Sequence, residues 1–151
     1  MTIHDSRLQP EIERYAVGYL PGAFDMFHIG HLNIIRAARP HCDRLILGVI
    51  PDESVLRVKR HPPIVPLAER MEVVRHIDLV DEVVVDDSHD KVEMWQKLHF
   101  DVIFKGSDWK GTPKGDALES GMASVSADVV YFPYTQGTSS TALRKILGEY
   151  F

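Results

Sequence analysis

Apolar positions along this chain fall into two kinds of block. Arg44–Ile50, Glu82–Asp86, Asp101–Gly106 and Asp128–Pro133 are short, nearly unbroken apolar runs closed by turn residues, and Ala16, Val17, Tyr19 and Leu20 supply a fifth. Runs without alternation suit strands buried on both faces of a parallel sheet. Between them the period lengthens. Ile29, Leu32, Ile35 and Ala38 recur at i, i+3, i+6 and i+9, which places them on one helical face. Pro51 opens a short helix, Pro66 to Ile77 is a helix with proline at its start, and Lys91 to Leu98 is another. A last helix carries Leu143, Ile146 and Leu147. Arg57 to Pro63 reads as a basic loop, and Ser107 to Gly121, with Gly111, Pro113 and Gly115, reads as loop-rich.

Strands and helices that alternate with short connections specify an α/β fold. The expectation is one Rossmann-like, doubly wound parallel sheet of five strands with helices on both faces, spanning residues 16–151. Residues 1–15 form a polar, peripheral lead-in. In such sheets ligands sit beyond the carboxyl ends of the strands, where strand order reverses. Four polar clusters fall at that edge: 22–31, 57–70, 106–109 and 135–141.

Composition narrows the partners. At 151 residues and 44% apolar content the chain can bury a full core. A formal charge of −5 argues against bulk binding to nucleic acid or an anionic membrane, though not against a small anion in a locally positive pocket. The single cysteine, Cys42, precedes an apolar strand and reads as a small packed residue rather than a reactive thiol. No apolar run reaches membrane-spanning length and Met1 to Asp5 begins no secretion signal, so a cytoplasmic protein is expected.

The candidate chemistry centres on residues 22–31. Gly22 lets the first strand turn sharply, and His28 and His31 project together from the first turn of the following helix. A helix start offers free N–H groups and a positive dipole end, which favour an anion. Two imidazole donors beside it suit a phosphate chain. The same spacing also serves zinc. No cysteine or carboxylate completes such a metal set, although Asp25 stands in the turn, and no metal ligands are assigned.

Gly22-Ala-Phe-Asp25 followed by His28-Ile-Gly-His31 resembles the signature of cytidylyltransferase-like nucleotidyltransferases, among them the bacterial glycerol-3-phosphate cytidylyltransferases. The resemblance runs from Ala16 to Ile146. It implies transfer of CMP from CTP, with Mg²⁺, to a small phosphomonoester such as glycerol 3-phosphate, in a homodimer. It also implies roles. His28 and His31 steady the phosphates, and Gly22, Ala23, Phe24 and Gly30 cradle the nucleotide. Gly106, Asp108 and Trp109 lie near base and ribose, with packing an equal reading for Trp109. Thr135, Thr138, Ser139 and Ser140 meet phosphate, and simple helix capping by Thr138 or Ser139 is compatible with that. A mobile catalytic lysine is expected about ten residues before Glu69-Arg70. Lys59 and Arg60 both fit that register, and Lys59 is preferred because an ammonium is a compact, mobile charge. Asp25, Arg60 and Arg70 are placed near the acceptor, with a solvent-facing Arg70 the plainer alternative.

Several positions depart from the pattern of the cytidine-specific relatives. Ala23 replaces Thr, Tyr134 and Gln136 replace the Arg and Glu around T-E-G, and Asp78 replaces an Arg. CTP is favoured by Ser107 to Gly111. An adenylyltransferase using ATP and a sugar phosphate, or a nucleotide-binding regulator without turnover, are the competing readings.

Overall fold

The computed structural model of the chain describes residues 12–150. Five parallel strands run β1 (Tyr15–Gly22), β2 (Cys42–Val49), β3 (Glu82–Val85), β4 (Val102–Gly106) and β5 (Asp128–Phe132). Their order in the sheet is β3-β2-β1-β4-β5. The helices are α1 (Ile29–Ala38), α2 (Asp52–Lys59), α3 (Leu67–Arg75), α4 (Lys91–Leu98), α5 (Pro113–Ser124) and α6 (Ser140–Tyr150). This is the doubly wound arrangement the apolar blocks specify. The first eleven positions of the expected lead-in lie outside the described residues. Its end is already anchored, since Arg14 pairs with Asp43 and Tyr15 starts β1.

Both faces of the sheet are buried, which explains the unbroken apolar runs. On β2, Leu45, Leu47 and Val49 join one core with Ile35 and Ala38 of α1 and Val74 of α3. Ile46 points the other way, into a second core with Met94 of α4 and Leu118 and Met122 of α5. Cys42 is fully buried in the first core, as expected for a packing residue.

Two expectations need correction. The basic loop begins later than the sequence pattern implies, because α2 runs on through Arg57 and Lys59 and ends where Arg60 adopts a left-handed φ of 66°. The stretch read as loop-rich contains α5. Thr112 caps it by accepting from Gly115 N–H at 3.1 Å, and Pro113 sits in the first turn, where its missing N–H is harmless. Gly115 is there for space: a Cβ would lie 2.0 Å from the Trp109 carbonyl oxygen.

One feature of the pairing positions the site. β1 pairs with β2 through Gly22 and Val49, and β4 pairs with β5 through Gly106 and Phe132. Between β1 and β4 the pairing stops at Tyr19 and Ile103. The two halves of the sheet therefore part at their carboxyl ends, at the point where strand order reverses.

Candidate active site

A cleft of about 180 Å³ lies at this parting, lined by Gly22, Ala23, Phe24, Asp25, His31, Lys59, Ser140 and Arg144 over an apolar floor that includes Leu20, Ile34 and Val55. The turn that builds it is unusual. Phe24 and Met26 both hold left-handed backbone, at φ 52° and 49°. Such conformations are unfavourable for side-chain-bearing residues and persist only when neighbours over-determine them. Asp25, between them, supplies that constraint. It is 3% exposed, and its carboxylate accepts from Ile64 N–H at 2.8 Å, Val65 N–H at 2.9 Å and Arg144 Nη2 at 3.1 Å.

The two histidines lock each other through the helix cap. His28 is the N-cap of α1: its Nδ1 accepts from Gly30 N–H at 3.0 Å, and its own N–H donates to His31 Nδ1 at 3.2 Å. Both Nδ1 atoms are therefore acceptors, so in each neutral ring the proton resides on Nε2. His28 Nε2 lies 3.3 Å from Ser140 Oγ, which itself donates to the Asp25 carbonyl at 2.6 Å. His31 Nε2 has no protein partner among the described residues. Gly30 permits the arrangement, because a Cβ there would sit 2.9 Å from His28 Cε1.

Electrostatics keep the rings neutral. Burial, reinforced by the neighbouring His28 and by Lys59 and only partly opposed by Asp25, pushes His31 down to about 4. The rings of Phe24 and Phe27, 5.5 and 5.4 Å from its own, supply part of that burial. Burial likewise lowers His28. Both present an N–H donor at neutral pH without carrying a charge. The cationic side chains on the cleft are Lys59 and Arg144. Burial lowers the Lys59 amine, Arg144 adds to that, and Asp25 opposes it.

The structure thus gathers His31, Lys59, Ser140, Gly22, Ala23, Phe24 and Asp25 on one cleft, with His28 and Gly30 behind it. Thr135 joins them, accepting from Asn33 Nδ2 at 3.3 Å. Ser139 caps α6 by accepting from Ala142 N–H at 3.0 Å, while Thr138 is exposed. Lys59 lines the cleft, and Arg60 is not among its lining residues. Gly106 and Asp108 stand farther along the same sheet edge, tied to the segment after β5 by a hydrogen bond from Tyr134 N–H to Ser107 Oγ at 3.2 Å. Trp109 packs in the second core with Lys105 Nζ 3.7 Å above its ring.

Arg70 does not face the cleft. It is 1% exposed, and it donates from Nε to Val65 O at 2.8 Å, from Nη1 to Ala23 O and Ile50 O at 2.7 Å each, and from Nη2 to Asp52 at 2.6 Å. The expectation that it meets the acceptor gives way to a scaffolding role beneath the turn. Arg144, by contrast, went unnoticed in the sequence. Its clue is a cation placed next to Leu143 within the apolar pattern of the last helix.

The chain is similar to known proteins. The chain is 37% identical over 128 residues to an ethanolamine-phosphate cytidylyltransferase of Arabidopsis thaliana, covering 82% of this chain and 30% of that protein. It is 33% identical over 132 residues to the bifunctional protein HldE of Hyphomonas neptunium, covering 84% of this chain and 26% of that protein. The chain thus spans under a third of these two relatives. A crystal structure of a lipopolysaccharide core biosynthesis protein from Thermoplasma volcanium shares the fold with a TM-score of 0.68 at 19% identity, covering 82% of this chain and 99% of that one. The cytidylyltransferase-like family pattern matches residues 19–146. With its two capped histidines set at the parting of the sheet, the chain belongs to the cytidylyltransferase-like family of nucleotidyltransferases.

Proposed function

We propose that this chain transfers CMP from CTP to a small phosphomonoester, glycerol 3-phosphate being the acceptor expected from the sequence, with release of pyrophosphate. One observation carries the reading: the cap consumes both Nδ1 atoms, so each neutral imidazole holds its proton on Nε2, with that of His31 unpartnered among the described residues and that of His28 beside Ser140 Oγ, next to Lys59 and Arg144. An oxygen of the acceptor phosphate attacks the α-phosphorus in line. A new P–O bond forms, the bond from the α-phosphorus to the bridging oxygen breaks, and pyrophosphate leaves with that electron pair. The nucleophile is already anionic, so no base is needed, and alignment with charge stabilisation supplies the catalysis. His28 and His31 donate to the phosphate oxygens, and Lys59 and Arg144 balance the charge that gathers there. The nucleotide lies along α1 and the start of α6, with its base toward Gly106 and Asp108.

Asp25, the only carboxylate lining the cleft among the described residues, is already held by three donors. Mg²⁺ therefore fits as part of the nucleotide substrate, on the triphosphate oxygens and water, where it neutralises charge. A homodimer belongs to the same proposal and rests on the family resemblance.

ATP is the second reading. It is favoured by Tyr134 standing in place of an arginine and by a relative named FAD synthase, from Pyrococcus abyssi, at 41% identity over 88 residues. Pyrophosphate release from MgCTP and MgATP across a panel of phosphomonoesters tests both. Turnover of ATP alone refutes the choice of CTP. Tight nucleotide binding with no release across the panel leaves a regulator.

A further inference from the structure

In-line displacement needs the incoming phosphate and the departing pyrophosphate on opposite sides of the reacting phosphorus. The parted sheet has two sides. α1 packs on the first core through Ile35 and Ala38, and α6 reaches the same side through Ser140 against His28, so the nucleotide phosphates fall there. β4 also borders the other side. Phe104 enters the first core and Ile103 the second, and strand alternation turns Lys105 toward the second, beside α4 and α5. Arg70 is spent on three carbonyls and Asp52, so an acceptor phosphate needs other cations.

Lys105 is half-buried at the carboxyl end of β4 and makes no hydrogen bond or ion pair among the described residues. Its Nζ sits 3.7 Å above the Trp109 ring, and Lys114 Nζ, from the first turn of α5, lies 5.8 Å from the same ring. Nearby carboxylates leave the two amines unpaired. Asp86 already accepts from Lys91 Nζ at 2.7 Å, from Ser88 N–H at 3.0 Å and from the Tyr19 hydroxyl. Asp108 folds back over Gly106, where a Cβ would lie 2.5 Å from its Oδ1. Burial, with Lys91 and Lys114 adding to it and Asp108 and Asp86 opposing, pulls the Lys105 amine down to about 8. Its surroundings therefore leave that charge without compensation, and a phosphate dianion beside both lysines supplies it. Lys114 lowers the Lys59 amine too, which couples the pair electrostatically to the cleft.

We propose that Lys105 and Lys114 receive the phosphate of the acceptor on the α4/α5 side of the parted sheet, opposite the nucleotide phosphates held by His28, His31 and Arg144. The inference rests on nucleotidyl transfer at this cleft and adds two binding residues to it. Lys59 feels both Arg144 and Lys114, which places it between the two groups, where the phosphoryl group is transferred.

Calorimetric titration of the full chain with inorganic phosphate and with glycerol 3-phosphate reads this site, with and without Mg²⁺ and a non-hydrolysable CTP analogue that fills the nucleotide side. Lys114→Gln changes an exposed side chain and leaves the fold intact, and Lys105→Met keeps an apolar stem over Trp109 while removing the charge. Each variant is expected to bind both probes about tenfold or more weakly, with affinity for the nucleotide analogue within about twofold of native. Native-like affinity for the probes in either variant overturns the inference, as does a native chain that binds neither probe. Loss of nucleotide affinity in step with phosphate affinity also overturns it, since the lysines then serve the triphosphate. If the CTP analogue does not bind, yet phosphate binding still falls in both variants, the anion site stands and the proposed reaction falls.

Discussion

Replacing Arg70 with lysine separates a scaffold from a substrate contact. The native guanidinium makes four hydrogen bonds, to the carbonyls of Val65, Ala23 and Ile50 and to Asp52, from a position 1% exposed. Its planar fork serves partners on three segments at once, whereas an ammonium donates from a single point. Lysine can keep about half of these bonds. Each hydrogen bond from a charged donor contributes about 1.5–3 kcal/mol, so losing two costs ~3–6 kcal/mol. Against a total stability of about 5–15 kcal/mol that is a large fraction. At ~2–4 °C per kcal/mol for a chain of this size, the melting temperature should fall by ~10 °C. Because Ala23 belongs to the turn that aims Asp25 and His28, kcat should fall as well, while KM for the acceptor changes little. Thermal unfolding and pyrophosphate-release kinetics on the same preparation read both quantities. A melting temperature within ~2 °C of native, with acceptor KM raised tenfold or more, would show that Arg70 binds substrate and that the scaffold argument is wrong.

The other predictions concern the histidine cap and the basic rim. His31 takes up its proton near pH 4 when folded but near 6.5 when unfolded, so lowering the pH through that window favours the unfolded chain. Urea midpoints should fall between pH 6.5 and 4 by the equivalent of up to about 3 kcal/mol, and His31→Gln should lose most of that slope; an equal slope in both proteins refutes the neutral buried ring. Gly30→Ala adds a methyl that would lie 2.9 Å from His28 Cε1. Helix propensity gains up to ~1 kcal/mol from the change, so stability should hold nearly constant while kcat falls about tenfold or more; unaltered kcat would mean that the cap geometry is not needed. Lys59→Ala should lower kcat about a hundredfold and Arg60→Ala less than about threefold, since Lys59 alone of the two lines the cleft. The reverse order would return the catalytic role to Arg60.

Much of this was legible because strand burial leaves a direct mark. The run from Leu45 to Val49 is apolar throughout since both faces of β2 are covered, and the same holds for Ile103 and Phe104 on β4. The histidine pair was legible because a helix start and a spacing of three fix where both rings project. What escaped is what depends on close tertiary approach. The glycines that disguised α5 as loop answer to neighbours, Gly115 to the Trp109 carbonyl and Gly121 to Val92, and no local pattern carries that. Arg70 shows the same limit from the other side. The resemblance placed it near the acceptor, but whether its guanidinium points into the cleft or under it depends on the carbonyls of Ala23 and Ile50, far away in sequence. Arg144 was missed because Asp25, its partner, lies at the opposite end of the chain.

The most direct measurement is a crystal structure of the chain with a non-hydrolysable CTP analogue and Mg²⁺. Nucleotidyl transfer at the capped histidines requires Nε2 of His28 and of His31 each within about 3.2 Å of a phosphate oxygen, with Lys59 Nζ and Arg144 turned toward the same group. A nucleotide bound elsewhere, or imidazoles that keep their cap and touch no phosphate, contradicts the account.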